Sequence, residues 1–294
     1  MTKKQAPGGN VLVRIRSLMP ELAPAERRLA ELALADPPGV AARTISEVAQ
    51  AGRTSETTVV RFSRAVGFSG YPDLRLALAA AGAHEEASGA NSVAGSDISA
   101  KDSLPDVIAK IGYADSGAVE DTIAQLDVAV LERVVDKVVK ARRVDLYGVG
   151  ASAFVALDLQ QKLHRIGLVT FAWPDPHAAL TSAALLGADD VAIGMSHTGS
   201  TRDTVDALAL AKRNRATTVA VTNFPRSPIS QVADLVLTTA ARETTFRSGA
   251  MASRIAALTV VDCLFVAVAQ RNYSSTRRAL ERTYKAVSPR RREG

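Results

Sequence analysis

The sequence predicts an α/β chain in two parts, an all-α bundle followed by a doubly wound domain built on a five-stranded parallel sheet. Three observations carry that expectation. Before residue 80 the apolar residues recur only at helical spacing. After residue 140 short apolar runs alternate with helical patterns, the signature of β-α-β units. Between these parts, residues 82–100 are mostly Ala, Gly, Ser, Asn and acidic groups, with no period long enough to build a helix face, and read as a linker. A length of 294 residues suits two domains, and 47% apolar against 22% charged residues excludes a wholly disordered chain.

In the helical part, Val11, Ile15, Leu18 and Met19 make one apolar face. Leu29, Leu32 and Ala33 make another, after Pro24, which suits a helix's first turn. Asp36-Pro37-Pro38-Gly39 is expected to end that helix. The stretch from Thr44 to Phe62 says most. Thr44 and Glu47 have the capping-box spacing, and Ile45, Val48 and Ala49 give the helix an inner face. Gly52 fits a tight turn, and Ser55 can cap a second helix burying Val59, Phe62 and Val66. Thr57, Thr58, Arg61 and Arg64 then face outward. In a helix-turn-helix the start of the second helix enters the DNA major groove, where small hydroxyls approach base edges and arginines reach guanine or phosphate. From these residues alone, a helical bundle with a solvated polar face fits equally well.

The formal charge of +6 is unevenly spread. Residues 1–80 carry +4, residues 81–140 carry −6, residues 141–270 carry +2 and residues 271–294 carry +6. A basic head, mostly arginine, is the part suited to a polyanion. The tail, with Arg277, Arg278, Arg282, Arg290, Arg291 and Arg292, reads as a short helix followed by a solvated basic end.

Beyond the linker, Leu104 to Arg142 is helical, with Val130, Leu131, Val134, Val135 and Val138 on one face. The expected strands are Val144 to Tyr147, Leu168 to Ala172, Val191 to Ile193, Thr218 to Val221 and Leu235 to Leu237. The first runs into Gly148-Val149-Gly150-Ala151-Ser152, where glycines let backbone approach an anion at a helix N-terminus. With Ala153 this also meets a loose dinucleotide fingerprint, and Asp175 lies where a ribose-binding acid would be sought. The third strand ends in Ser196-His197-Thr198-Gly199-Ser200-Thr201 and then a helix, so hydroxyls and N–H groups crowd a second helix start. Such a pair binds phosphate without fixed positive charge, and the inferred ligand is a small phosphorylated metabolite.

Ser55-x-x-Thr58-Val59-x-Arg61-Phe62, followed by Gly67-Phe68-x-Gly70-Tyr71, resembles the N-terminal domain of RpiR-type bacterial transcriptional regulators, from about Val11 to Leu78. The Gly148, Gly150, Ser152 and Ser196, Thr198, Gly199, Thr201 patterns resemble the SIS (sugar isomerase) effector domain of the same regulators, over about 140–270. Thr198 stands where many members have Ser. The resemblance implies that Ser152, Ser196, Thr198 and Thr201 contact a sugar phosphate, with His197 contributing mainly backbone. It implies dimerisation through the C-terminal domain, operator DNA as partner, and a homodimer or homotetramer. The expected domains are 1–81 for DNA binding, 82–100 as linker, 101–270 for the ligand and 271–294 as tail. The expected function is a repressor of carbohydrate-metabolism genes, released by ligand.

An isomerase or lyase is the alternative, and it needs a general base. Glu243, His177, His164 and His197 are the candidates, and no spacing pairs them; Glu243 is also a possible ligand-site residue. An interaction module with a vestigial site is the third reading. Neither cofactor nor metal is expected, since four scattered His and one Cys offer no ligand spacing. Cys263 is expected in the core, and Phe171 and Trp173 are expected to pack. The apolar run Ile255 to Ala269, broken by Asp262, reads as a buried helix too short for a membrane span. With no secretory leader pattern and no disulfide pair, a cytoplasmic setting is expected.

Overall fold

The computed structural model describes residues 11–87, 97–243 and 251–287. Residues 88–96 of the expected linker, and Arg290, Arg291 and Arg292 of the tail, lie outside them. The chain forms two units that divide between Gln125 and Leu126. The expected boundary at residue 100 lies N-terminal to that division.

The first unit begins with α1 (Val11–Leu18), a 3-10 turn (Met19–Glu21), α2 (Pro24–Ala35), α3 (Pro37–Ala42), α4 (Ile45–Ala51), α5 (Glu56–Ala65) and α6 (Tyr71–Ala87). Leu12, Ile15, Leu29, Val59, Phe62 and Leu78 share one core. Asp36 ends α2 as expected, and Pro37-Pro38-Gly39 starts a further short helix. The Asp36 carboxylate accepts the Gly39 N–H at 2.9 Å, and proline costs nothing in a first turn, where its missing N–H has no partner to lose.

The Gly-Phe-x-Gly-Tyr segment turns the chain from α5 into α6. Gly67 takes a φ of 93°, Phe68 and Tyr71 are buried, and the Tyr71 hydroxyl lies 2.9 and 2.8 Å from the Val40 and Arg43 carbonyls. Burial raises its pKa.

Two expectations about the middle of the chain change. The first linker residues belong to α6, because an alanine-rich segment needs no apolar face to stay helical. Its last residues are held down: Lys110, itself buried, donates to the Asp97 carbonyl at 2.8 Å and the Asp102 carboxylate at 2.6 Å. That ammonium and the Ser99 N–H hold Asp102 below the usual carboxylate range. The helical stretch from Leu104 is two helices, α7 (Leu104–Gln125) and α8 (Val128–Lys140). Asp127 makes the break by capping α8, accepting the Val130 N–H at 3.0 Å.

The second unit continues with β1 (Arg143–Tyr147), α9 (Ala151–Arg165), β2 (Thr170–Trp173), α10 (Pro176–Ala183), β3 (Asp190–Met195), α11 (Arg202–Arg213), β4 (Thr217–Thr222), α12 (Pro228–Val232) and β5 (Leu235–Thr238). It closes with α13 (Ala252–Arg271) and α14 (Tyr273–Val287). All strand pairs are parallel, in the order β2-β1-β3-β4-β5. The two sheet faces differ. Val144, Leu146, Val191, Ile193, Val219 and Val221 pack with α8, α9 and α13 residues, while Ala192, Ala220 and Tyr147 pack with residues of α10, α11 and α12. The second face is close: a Cβ on Gly194 would come within 3.0 Å of Ile229.

The strand reading missed one polar cluster. Asp145, fully buried, accepts two hydrogen bonds from Arg143 at 2.6 and 2.7 Å, one from the Trp173 indole at 2.9 Å, and one from the Ser182 hydroxyl. Buried charge persists only when paired in this way. Burial also pushes the neighbouring Tyr147 phenol up, so it stays protonated. Trp173 thus packs through a hydrogen bond, whereas Phe171 is exposed, with the Arg143 guanidinium 5.0 Å from its ring centre.

Helix α13 is longer than the apolar run suggested. Its 20 residues include an 18-residue stretch of mean hydropathy 1.9, long and apolar enough by length and composition alone to cross a membrane. One stripe, Ala256, Val260, Val261, Leu264 and Val268, is buried in the core of this unit. Cys263 lies beside that stripe, half-buried and not in the core.

Candidate functional site

Two surfaces gather the residues singled out above, one in each unit. In the first, α4 and α5 form the helix-turn-helix. Thr44 caps α4 reciprocally with Glu47, whose carboxylate accepts the Thr44 N–H at 2.7 Å and the Thr44 hydroxyl at 2.8 Å and is held below its ordinary pKa by those bonds. Ser55 caps α5, accepting the Thr58 N–H at 3.3 Å, with the two hydroxyls 3.0 Å apart. These two predicted contacts are therefore already bonded to each other. Thr57, Arg61 and Arg64 are exposed, while Val59, Phe62 and Val66 are buried.

Gly52 lies in the turn, as expected. Gly52 has an ordinary φ of −79°, and Arg53, not glycine, takes the left-handed conformation at 48°. Gly52 is needed for space, because a Cβ there would lie 2.5 Å from Leu29. Arg28 of α2 fastens the turn, donating to the Gly52 and Arg53 carbonyls, both at 3.1 Å. Nothing in its spacing marked Arg28 for that role.

In the second unit, the loops after β1 and β3 meet where the strand order reverses, the switch point at which open α/β sheets bind ligands. An open cleft there is lined by Ser152, Ser196 and His197, with Met195, Val155 and Val221 as apolar wall. Gly148 packs on the first turn of α9, where a Cβ would approach the Ser152 backbone to 3.0 Å, and Gly150 has a φ of 58°.

Ser196 is 2% exposed, accepts the Gly199 N–H at 3.1 Å and lies 3.0 Å from the Thr201 hydroxyl. Thr198 and Ser200 are exposed and bonded to each other, hydroxyl to hydroxyl at 3.0 Å. Gly199 has a φ of 65°, and a Cβ there would overlap Ser227 at 1.9 Å. The loop is tied to its neighbour: the Ile229 N–H donates to the Gly199 carbonyl at 2.9 Å, and the His197 carbonyl accepts the Asn223 N–H at 3.1 Å.

The His197 backbone therefore serves the fold. Its ring lines the cleft, edge-on to Phe224, with Nδ1 buried and unpaired; burial lowers its pKa, against the opposing pull of Glu243.

Neither α9 nor α11 has a side-chain cap from its N-cap residue, unlike α8 and α10, which Asp127 and Asp175 cap. Asp175 is thereby a cap, accepting the Ala178 N–H at 2.8 Å, which removes the acid that a dinucleotide reading wanted. Glu243 accepts the Ser253 N–H at 2.8 Å at the start of α13. His177 is exposed in the first turn of α10, and His164 is exposed in the last turn of α9.

The cleft also holds residues not anticipated: Thr222, Thr239, Ser253 and Arg254. Thr222 and Thr239 follow apolar strand runs at the end where such sheets bind ligands, and were legible in principle. Ser253 and Arg254 open a helix whose residue pattern carries no sign of facing a cleft.

A helix-turn-helix in one unit and a doubly wound sheet with a switch-point cleft in the other define a class of bacterial transcriptional regulator. Residues 9–85 match the helix-turn-helix domain of the rpiR family, and residues 137–267 match the SIS domain. An uncharacterized HTH-type regulator of Caldanaerobacter subterraneus is 37% identical over 96% of this chain and 98% of its own. The regulator HexR of Pseudomonas aeruginosa is 35% identical over 95% and 96%. The solved structure of Vibrio vulnificus NanR complexed with ManNAc-6P covers 96% of this chain and 100% of its own, at 30% identity and a TM-score of 0.60. The chain belongs to the RpiR family of HTH-type transcriptional regulators with a SIS domain.

Proposed function

We propose that this regulator is a repressor of carbohydrate-metabolism genes that binds operator DNA through α5 and is released by a phosphorylated sugar held in the SIS cleft. The observation that carries the ligand half is the pair of uncapped helices, α9 and α11, opening at the switch point beside Ser152, Ser196 and Thr201. Helix starts without a side-chain cap, with their positive ends, favour a dianion, and the hydroxyls around it, with Arg254 in the same cleft, complete a phosphate cradle. Thr222, Thr239 and Ser253 then face the sugar hydroxyls. The phosphosugar in the NanR complex supports this class of effector.

The segment between α6 and α7 serves as the joint through which ligand state reaches the DNA-binding helices, in a homodimer or homotetramer. Ligand shifts the DNA-competent population only by its different affinity for the two states. An inverted-repeat operator follows from two-fold symmetry. Catalysis is the weaker reading, since the Glu243 carboxylate is held by the N–H groups of α13.

A melting screen against phosphorylated sugars and amino sugars tests the proposal, followed by DNA binding with each hit. The expected result is one class of sugar phosphate that raises the melting temperature and lowers DNA affinity. No shift across the panel rejects the effector assignment, and turnover of a sugar phosphate by purified protein rejects the non-enzyme reading.

A further inference from the structure

Arg61 is not a free arginine. Its Nε donates to Glu26 Oε1 at 2.6 Å, across the packed pair α2 and α5. Glu26 is nearly closed off, its side chain 10% exposed, and its other oxygen accepts the Ala23 N–H at 3.2 Å. Both carboxylate oxygens are thus bonded to protein, while the Arg61 side chain is 62% exposed. The bond uses Nε alone. The two terminal amino groups have no other partner among the described residues, and they form the planar fork that matches guanine O6 and N7.

Arg28, also on α2, shows the contrast: its Nε and both terminal nitrogens donate to backbone carbonyls, so its whole fork is consumed by the fold. Among the described residues, Arg64 reaches only the Ser69 carbonyl, with its Nε at 3.4 Å.

We infer that Glu26 is a positioning residue that holds the Arg61 fork in one orientation, making Arg61 a reader of a base and not a phosphate contact. This rests on the assignment of α5 to DNA. A long flexible side chain loses rotamer freedom when it docks on a base edge; anchoring Nε in the free protein removes that loss beforehand. A phosphate contact gains little from such fixing, because it needs charge more than direction.

The test uses the full chain. Duplexes are selected from a random-sequence pool with the wild-type protein, and affinities for the selected duplex and a scrambled duplex of equal length are compared at one salt concentration. Replacing Arg61 by Ala should lower the selected-to-scrambled ratio about tenfold or more, the discrimination of one bidentate arginine–guanine pair. Arg61→Lys should lower it similarly while keeping affinity for the scrambled duplex. Glu26→Ala combined with Ala23→Ser, which supplies a new cap for α2, should lower the ratio by a like factor without weakening scrambled binding. Adding Arg61→Ala to that variant should cost nothing further, and Glu26→Gln, which keeps an acceptor for Nε, should retain most of the ratio.

A Glu26→Ala/Ala23→Ser chain with wild-type melting and a wild-type ratio overturns the inference. So does an unchanged ratio in Arg61→Lys, which needs no change at Glu26. A wild-type chain that selects no duplex at all overturns the DNA assignment beneath it.

Discussion

Ser55 at the start of α5 and Thr201 at the start of α11 hold equivalent positions in their helices and use their hydroxyls differently. Ser55 turns inward onto the Thr58 N–H, closing the helix end. Thr201 makes no cap and lies instead 3.0 Å from the Ser196 hydroxyl, in the loop beside the cleft. The same residue chemistry closes a helix end in one unit and leaves it open in the other. The proposed roles match this difference: a helix that presents its side face can close its end, whereas an anion bound at a helix end needs that end open.

The sharpest way to break this contrast is Gly199→Ala. With φ at 65° and Ser227 Oγ 1.9 Å from the new Cβ, the loop must move, costing about 2 kcal/mol or more. The expected outcome is loss of any sugar-phosphate melting shift, with DNA affinity retained when measured by titration of a duplex. Next in size, Ser55→Ala should weaken the α5 end by about 1 kcal/mol, the usual worth of such a cap, whereas Thr201→Ala should cost clearly less in the ligand-free protein. Hydrogen exchange of the α5 and α11 amides separates the two; equal losses would erase the distinction.

Arg53→Gly should act in the opposite direction, stabilising the helix-turn-helix by about 1 kcal/mol, because a non-glycine residue at φ 48° carries left-handed strain. Chemical denaturation followed in the first unit checks the sign. The smallest effect concerns pH. Burial depresses the His197 pKa below its ordinary 6.5, so below that value the unfolded chain takes up the proton more readily than the folded one. Stability of the second unit should fall as pH drops through that window to the folded pKa, and His197→Gln should flatten that slope in denaturation curves.

Much of this was legible before any coordinates. The five strands lie where the apolar runs put them, within a few residues at each end, since parallel strands covered on both faces are largely apolar. Ser196 to Thr201 and Gly148 to Ser152 were readable because a tight loop entering a helix restricts residue type locally. Arg28, Arg53 and Asp145 were not readable in the same way. Arg28 acts on a turn 24 residues away, Arg53 has an ordinary sequence context for an unusual φ, and Asp145 sits inside a strand whose partners come from β2 and α10. Asp36-Pro37-Pro38-Gly39 ends α2 as read, and the short α3 that begins there went unread because the signal for stopping a helix is equally a signal for starting one.

By itself the sequence determined which segments are helix and strand, where glycine is needed in the loops after β1 and β3, and which hydroxyls cluster there, because periodicity, capping and turn chemistry act within a few residues. Only the tertiary structure decided which of those hydroxyls are already bonded, which helix ends stay bare, and that Glu26 reaches Arg61. Those facts depend on contacts between distant segments, and a carboxylate 35 residues away leaves no periodic trace in the chain it meets.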